Sequence, residues 1–279
     1  MAQFTNQATL TYSGGTVTSN VVVGEITEVL SVNKTALSDS YTVGGTVTYV
    51  VNLINDGETT LTGLTLTDNL GEYAFGAETR VPLTYVDGAV QVYADGVLQP
   101  TPAVTAGSPL IISGISVPAN GNATVLYQAT ANAFAPPEGS IVNEVTVSGG
   151  ISPITAQATV TADAEPRLSI TKSLSPVPVA ENGQLTYTFL IQNSGTAAGA
   201  TDDIVLTDVF DPILSDITVT YDGTAWTEAV NYTYDEASGT FTTQQGQIQV
   251  PAATYTQDPV TGIWTVTPGS VTLVVTGTV

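Results

Sequence analysis

Two lysines, Lys34 and Lys172, are the residues of this sequence best placed to do chemistry. They are the only lysines among 279 residues. In residues 30–34 and 168–172, apolar residues alternate with polar ones and the lysine falls on the apolar side, so each predicted strand points its lysine toward a hydrophobic core. An ammonium group there is costly unless it is paired or loses its proton. We therefore expect each lysine to have a partner or to react.

An aspartate and an asparagine recur at matched places around each lysine. Each lysine strand is followed by a Leu-Thr-Asp segment whose aspartate alternates onto the apolar side, and an asparagine begins another apolar alternation. Asn6 precedes Lys34 by 28 residues and Asn143 precedes Lys172 by 29. The repeat predicts two triads, which are Lys34, Asp68 and Asn143 in the first and Lys172, Asp208 and Asn6 in the second.

A buried lysine, aspartic acid and asparagine are the ingredients of a spontaneous isopeptide bond. Burial favours the neutral amine, and a protonated carboxyl can polarise the amide and carry protons as ammonia leaves. The fold supplies the proximity that makes such an exchange feasible. We predict a bond between Lys34 and Asn143 within the chain and one between Asn6 and Lys172 of two chains, with Asp68 and Asp208 as the catalytic carboxyls.

The sequence is also compatible with simpler roles for the same residues. Each lysine can form a salt bridge with its aspartate and undergo no reaction. Asp68 and Asp208 can be turn residues at strand ends, and Asn6 and Asn143 can satisfy backbone groups.

The elements that must position the triads are β-strands. Short alternating runs rich in Thr and Val are separated by Gly, Asn, Asp and Pro, which is typical of an all-β sandwich with almost no helix. The internal repeat predicts two tandem sandwiches, at 27–163 and 164–279, after an N-terminal arm at 1–26. The second copy lacks its closing strands, and the arm carries their pattern.

Residues on the expected inner face of the arm are Ala8, Leu10 and Tyr12, which share the face of Asn6. An incomplete sandwich leaves an open edge that aggregates unless it is filled. We predict that the arm is a donor strand for the second sandwich of a neighbouring subunit.

The composition excludes several classes of function. A formal charge of -21 repels nucleic acid and anionic lipid alike. His and Cys are absent, so most hydrolytic, redox and zinc chemistry has no candidate residue. No run approaches the length of a membrane span. We predict that the protein is not an enzyme and uses no cofactor and no metal.

The sequence also contains acidic and aromatic residues that suggest two further sites. The acidic residues Asp202, Asp203, Asp208 and Asp211 could coordinate calcium, but they lack EF-hand-like spacing and favour a solvated surface. Trp226, Trp264 and nearby tyrosines could form a carbohydrate platform, although aromatic residues in alternating strands are more often core.

The repeated motifs resemble a family of bacterial surface repeats. The pattern is Lys-Ser/Thr, a Thr-Tyr strand, Asn-x-Gly, Leu-Thr-Asp and Asn-x-x-Thr-Val, and it is similar to the conserved-repeat domains known as domain of unknown function eleven. The resemblance implies Ig-like sandwiches in large cell-surface proteins, and the triads look like those of self-crosslinking Gram-positive pilins and adhesins. The second copy departs from the pattern over residues 221–266.

These features together predict a structural subunit of an extracellular bacterial fibre that assembles head to tail with copies of itself. Donor and acceptor surfaces differ, so the contact propagates instead of closing. The opening residues have no secretory signal pattern, which leaves a cell surface and a spore surface both open. The alternative is a monomeric tandem adhesin module that folds its own arm back and binds a host or carbohydrate ligand.

Overall fold

The computed structural model describes residues 2–26 and 28–279, so the predicted domain limits at residues 1 and 27 lie outside the described residues. The chain forms two compact units that divide between Ala162 and Asp163. In the described part, the one helical element is a 3₁₀ turn at Ala200–Asp202. The predicted all-β class is confirmed. Of the helices described, none is long and apolar enough to cross a membrane.

The N-terminal residues 2–26, here called the arm, form a β-hairpin. Its strands are β1 (Ala2–Asn6), β2 (Thr9–Tyr12), β3 (Gly15–Thr18) and β4 (Val22–Ile26). β1 pairs antiparallel with β4, and β2 with β3. Side chains from residue 3 to residue 23 are all exposed. The arm is therefore a two-stranded ribbon without a core of its own, an arrangement that is marginally stable alone.

The sandwich of the first unit contains fourteen strands. In chain order they are β5 (Leu30–Ala36), β6 (Ser40–Tyr41), β7 (Thr46–Asn55), β8 (Leu61–Asp68), β9 (Tyr73–Phe75), β10 (Glu78–Arg80), β11 (Leu83–Tyr85), β12 (Gln91–Ala94), β13 (Val97–Leu98), β14 (Ala103–Thr105), β15 (Leu110–Val117), β16 (Gly121–Ala131), β17 (Ser140–Ser148) and β18 (Ile154–Ala162).

These strands form two main sheets around one core. One sheet has the order β13-β12-β16-β7-β5 and the other β14-β15-β8-β17-β18-β6. Strict alternation along β7 buries every second side chain from Val47 to Asn55, as expected for a strand with one face on a core. β18 also packs against β5, across the sandwich edge.

The second unit contains ten strands and the 3₁₀ turn. The strands are β19 (Leu168–Ser175), β20 (Gln184–Asn193), β21 (Thr207–Val209), β22 (Ser215–Tyr221), β23 (Thr224–Trp226), β24 (Tyr232–Asp235), β25 (Thr240–Thr243), β26 (Thr254–Gln257), β27 (Trp264–Thr267) and β28 (Gly269–Thr278). One sheet has the order β19-β20-β28-β22-β23, a second has β21-β25-β24, and β26 with β27 forms a separate ribbon.

Eight strands of the first unit have counterparts in the second. The order β5-β7-β16-β12-β13 corresponds to β19-β20-β28-β22-β23, and β8-β15-β14 corresponds to β21-β25-β24. In the first unit β8 also pairs with β17, whereas β21 pairs only with β25 among the described residues. The all-β sheet architecture of both units is therefore as predicted, and among the described residues the second unit has no counterparts of β17 and β18.

Candidate crosslinking sites

The first predicted triad is assembled in the core of the first unit. Lys34 Nζ lies 2.5 Å from Asp68 Oδ2, and both side chains are almost completely buried, with 0% and 2% exposure. Asp68 Oδ1 accepts a hydrogen bond of 2.9 Å from the backbone N–H of Leu70. The aspartate therefore forms a turn at the end of β8 and also binds the lysine, so these two readings of Asp68 are compatible.

A tyrosine links this ion pair to the predicted electrophile. Tyr127, on β16, donates its hydroxyl hydrogen to Asp68 Oδ2 at 2.5 Å and accepts a hydrogen bond of 3.2 Å from Asn143 Nδ2. Asn143 is 0% exposed, and its amide oxygen accepts no hydrogen bond from the described residues. Lysine, carboxylate, phenol and amide thus form one continuous buried cluster.

The amide oxygen of Asn143 is the notable polar atom of this cluster. A buried acceptor without a donor costs free energy, so such a group in a native core calls for an explanation. Nucleophilic attack on the amide carbon would place negative charge on this oxygen, where a hydrogen-bond donor would stabilise it.

Burial favours the neutral, nucleophilic form of the Lys34 amine. Burial lowers the pKa of Lys34 from 10.5 to about 8, although the Asp68 carboxylate opposes this shift. The ammonium group also lies 4.9 Å from the ring centroid of Tyr49. Burial, with Asp68 adding to it, raises the pKa of Tyr127 well above 10.0, so its phenol remains a hydrogen-bond donor. Neutral amine is therefore accessible near physiological pH.

The second predicted triad is brought together only in part. Lys172 Nζ donates a short hydrogen bond to Asp208 Oδ2, which matches the pair in the first unit. However, the Lys172 side chain is 39% exposed and that of Asp208 is 19% exposed. Every residue of β19 is exposed, whereas the equivalent β5 buries Leu30 and Lys34. The pair joins β19 and β21, which belong to different sheets, and it remains partly exposed.

Three aromatic rings nevertheless lie close to the Lys172 ammonium. Its ammonium lies 4.4, 5.5 and 5.6 Å from the ring centroids of Tyr187, Phe189 and Phe210. Such rings stabilise a cation, and the Lys172 side chain nevertheless keeps 39% of its surface exposed. Nearby apolar side chains are also uncovered, with Leu168 at 41% and Ile170 at 54% exposure.

The remaining predicted residues lie in the arm. Asn6 ends β1, while Leu10 and Tyr12 belong to β2 and are 65% and 58% exposed. Ala8 lies between the two strands, and its carbonyl oxygen accepts a hydrogen bond of 2.9 Å from Ser19 N–H. The hairpin register changes on either side of Ala8, from Asn6 opposite Val22 to Thr9 opposite Thr18.

Other candidate sites of the sequence are located as follows. Among the described residues, no group of three His, Cys, Asp or Glu side chains could hold a metal ion. Trp226 stacks on Tyr221 with ring centroids 4.8 Å apart. Tyr127 is the site residue that the sequence analysis missed, since only its parity on β16 hinted that it faces the core.

Comparisons with known proteins find distantly similar solved structures. Neither the protein-family models nor the curated proteins give a match. The structure is similar to BcpA, the major pilin subunit of Bacillus cereus, at 11% identity, covering 96% of this chain and 73% of that one, with a TM-score of 0.37. It is similar to the pilus backbone RrgB from Streptococcus pneumoniae at 16% identity, with 86% and 55% coverage and a TM-score of 0.36.

A third match is the C-terminal domain of the Streptococcus agalactiae AgI/II polypeptide BspA, at 12% identity, with 89% and 91% coverage and a TM-score of 0.33. All three scores are low. The function of this chain therefore has to be inferred from its own strands and side chains.

Proposed function

We propose that this protein is the repeating subunit of an extracellular bacterial fibre. The arm of one subunit completes the second sandwich of the next, and an isopeptide bond between Asn6 and Lys172 locks each joint. A bond between Lys34 and Asn143 strengthens the first sandwich between joints. The protein is then a structural one that needs no cofactor and whose only chemistry is its own crosslinking.

The observation that carries the proposal is the unequal repeat. Eight strands of the second unit match strands of the first in sheet order, yet none of the described residues supplies that unit with counterparts of β17 and β18. The outer edge of β21 and the face of β19 are left open as a result. Open apolar edges associate with another strand. The hairpin arm, with exposed Leu10 and Tyr12, has the pattern of the strands that are missing.

The first unit supplies a template for the joint. There Asn143 lies two residues before Val145, which pairs with Asp68 on the neighbouring strand β8. Placing Asn6 where Asn143 lies sets Ala8 opposite Asp208 on the open edge of β21. Strand pairing then contributes the backbone hydrogen bonds, and the alternate side chains contribute specificity. Asn6 is thereby brought to the open side of Lys172.

The bond-forming step is the same at both sites. The neutral Nζ of lysine attacks Cγ of asparagine, a C–N bond forms, the bond from Cγ to Nδ2 breaks, and ammonia leaves. The aspartic acid gives its proton to the developing oxyanion or to the departing nitrogen and takes back the proton that lysine loses. No oxidant or co-reactant is needed. Each bond lowers the mass by about 17 Da, since one ammonia is lost.

A boiled denaturing gel of the purified chain, followed by intact mass, tests this proposal. We expect a ladder of multimers, and we expect Asn6→Ala and Lys172→Ala each to reduce it to monomer. Lys34→Ala is the matched control, because it removes the other lysine and should leave the ladder in place. Monomers that remain should lack one ammonia, from the bond between Lys34 and Asn143.

Two results would contradict the proposal. A monomer that lacks two ammonia molecules would mean that the arm closes on its own chain, as in the monomeric adhesin. A monomer of unmodified mass would return both lysines to simple salt bridges.

A further inference from the structure

We infer that the acceptor unit takes the whole arm as a hairpin, with β4 of the donor lying over β19 as β18 lies over β5. This inference rests on the proposed function and goes beyond it. Donor-strand pairing to β21 requires only the strand that carries Asn6. The second strand of the arm is given a separate role, which is to cover Lys172 and its apolar neighbours.

The first unit shows what one strand alone would leave open. β17 pairs with β8, but it is β18 that packs against β5. Leu30 on β5 is consequently only 7% exposed and the Lys34 side chain 0%. Their counterparts Leu168 and Lys172 are 41% and 39% exposed. A single strand on β21 would not lie above β19, so Lys172 would remain exposed to solvent.

The two hairpins present matching cross-strand pairs. Asn143 pairs with Ala158 in the first unit, and Asn6 pairs with Val22 in the arm. Directly opposed residues of an antiparallel pair point to the same face. Both Asn143 and Ala158 are buried. Val22 therefore comes with Asn6 onto the inner face, in the position of Ala158.

The next pair along each hairpin agrees in volume. Ile141 pairs with Val160 in the first unit, and both are buried. Phe4 pairs with Gly24 in the arm, and the Phe4 ring lies where a Cβ on Gly24 would be, with the closest atom 2.4 Å away. A large residue beside glycine replaces two medium ones. The inner face of the arm is thus filled to a similar extent.

The outward positions agree as well. Val142 pairs with Thr159 in the first unit, and both are exposed. Thr5 and Val23 form the equivalent pair in the arm. Val22 and Val23 are thus neighbours of the same residue type, 54% and 63% exposed in the arm, but only Val22 becomes buried in the joint. This difference gives a matched pair of test variants.

The test uses full-length chains that can form a single kind of covalent joint. A donor chain with Lys172→Ala and an acceptor chain with Asn6→Ala are mixed, so that only donor Asn6 and acceptor Lys172 can react. The donor also carries Val22→Asp, Val23→Asp or Leu10→Asp. Thermal unfolding of each donor confirms that its two sandwiches are intact. The rate of covalent dimer formation is read from a denaturing gel.

We expect Val22→Asp to slow dimer formation by at least about tenfold, because it places a carboxylate in the covered core, and Val23→Asp to change the rate less than about twofold. Equal rates for both variants, with Leu10→Asp still blocking the joint, would overturn the hairpin inference and leave the proposed function standing. Failure of the unsubstituted arm to form a covalent dimer would instead overturn the proposed function itself. A Leu10→Asp donor that forms the dimer at the unsubstituted rate would do the same.

Discussion

The two sandwiches contain equivalent lysine–aspartate ion pairs, one buried and one partly exposed. In the first unit, Lys34 and Asp68 are sealed from water and joined through Tyr127 to Asn143. In the second, Lys172 and Asp208 make the same contact on an open face. The difference arises from two strands. One sequence pattern therefore gives either an enclosed lysine–aspartate pair or a partly exposed one, depending on where along the chain the asparagine strand lies.

A second difference lies in what surrounds each pair. The register places Tyr127 opposite Tyr49 in the first unit and Val275 opposite Tyr187 in the second. The phenol that contacts Asp68 and Asn143 has no counterpart at that position in the second unit. Three aromatic rings lie within 6 Å of the Lys172 ammonium, and two lie within 6 Å of the Lys34 ammonium. The proposed joint brings the Asn6 amide to Lys172 from another chain and so requires an opening beside Lys172. A phenol placed as Tyr127 is in the first unit would occupy that opening.

The largest effect is expected from removing the crosslink of the first unit. Asn143→Ala leaves the chain at its unmodified mass and lowers the free energy of unfolding of the first unit by about 4 to 5 kcal/mol, the loop-closure value for a crosslink spanning roughly 100 residues. Chemical denaturation followed by far-UV circular dichroism measures this.

Tryptophan fluorescence is the internal control for that experiment. Both tryptophans, Trp226 and Trp264, lie in the second unit, so their transition should not move. An unchanged mass between the variant and the parent chain would show that no bond forms between Lys34 and Asn143.

The next effect separates a buried pair from an open one. In the Asn143→Ala background, Lys34→Met leaves Asp68 buried without its partner, and we expect a loss of about 3 to 5 kcal/mol. Lys172→Met in unassembled chains should cost about 1 kcal/mol or less, because that pair is solvated. Denaturant midpoints of the two units measure both. Equal losses would mean that the second pair is as enclosed as the first.

Most differences between the two units can be predicted from the sequence. The features that cannot be predicted have physical reasons. Period-2 alternation determined which face of each strand carries the lysine and the aspartate, because a strand has only two faces. The internal repeat likewise indicated which strands the second unit lacks. The exposure of Lys172 did not follow from β19 itself, which has the same alternation as β5, since burial depends on a strand distant in sequence.

Two features could not be predicted from local patterns. Tyr127 reaches Asp68 from β16, 59 residues away, and an alternating strand does not reveal which of its inward side chains meets a given partner. The change of register in the arm at residues 7 and 8 is also invisible in the apolar pattern. Residues 221–266 align poorly because the second unit adds the ribbon of β26 and β27 there.

The pH dependence of stability provides a smaller and more specific effect. The pKa of Lys34 falls from 10.5 to about 8 on folding, so between these values the unfolded chain binds more protons than the folded one. Stability of the Asn143→Ala variant should therefore rise with pH across this window, by up to about 3 kcal/mol at 1.4 kcal/mol per pH unit.

The buried tyrosines oppose this trend, because burial raises the pKa of Tyr127 and stability is lost once phenols ionise in the unfolded chain near pH 10. The contribution of Lys34 is isolated by subtracting a chain with Asn143→Ala, Lys34→Met and Asp68→Leu. A difference that is flat from pH 8 to pH 10 would mean that Lys34 is charged throughout in the folded state.

The smallest effect concerns Tyr127 and tests whether its hydroxyl positions the reacting groups. Tyr127→Phe keeps the ring, which stacks on Tyr49 at 5.5 Å, but removes the donor to Asp68 and the acceptor for Asn143 Nδ2. We expect a loss of about 1 to 2 kcal/mol from the unpaired groups. The bond should still form, but slowly enough that freshly made chains show two masses separated by one ammonia. Val275→Tyr is the reciprocal change, and it should slow the joint at Lys172 by placing a phenol in the path of the incoming arm. Complete reaction of Tyr127→Phe at the parent rate would assign this tyrosine to packing alone.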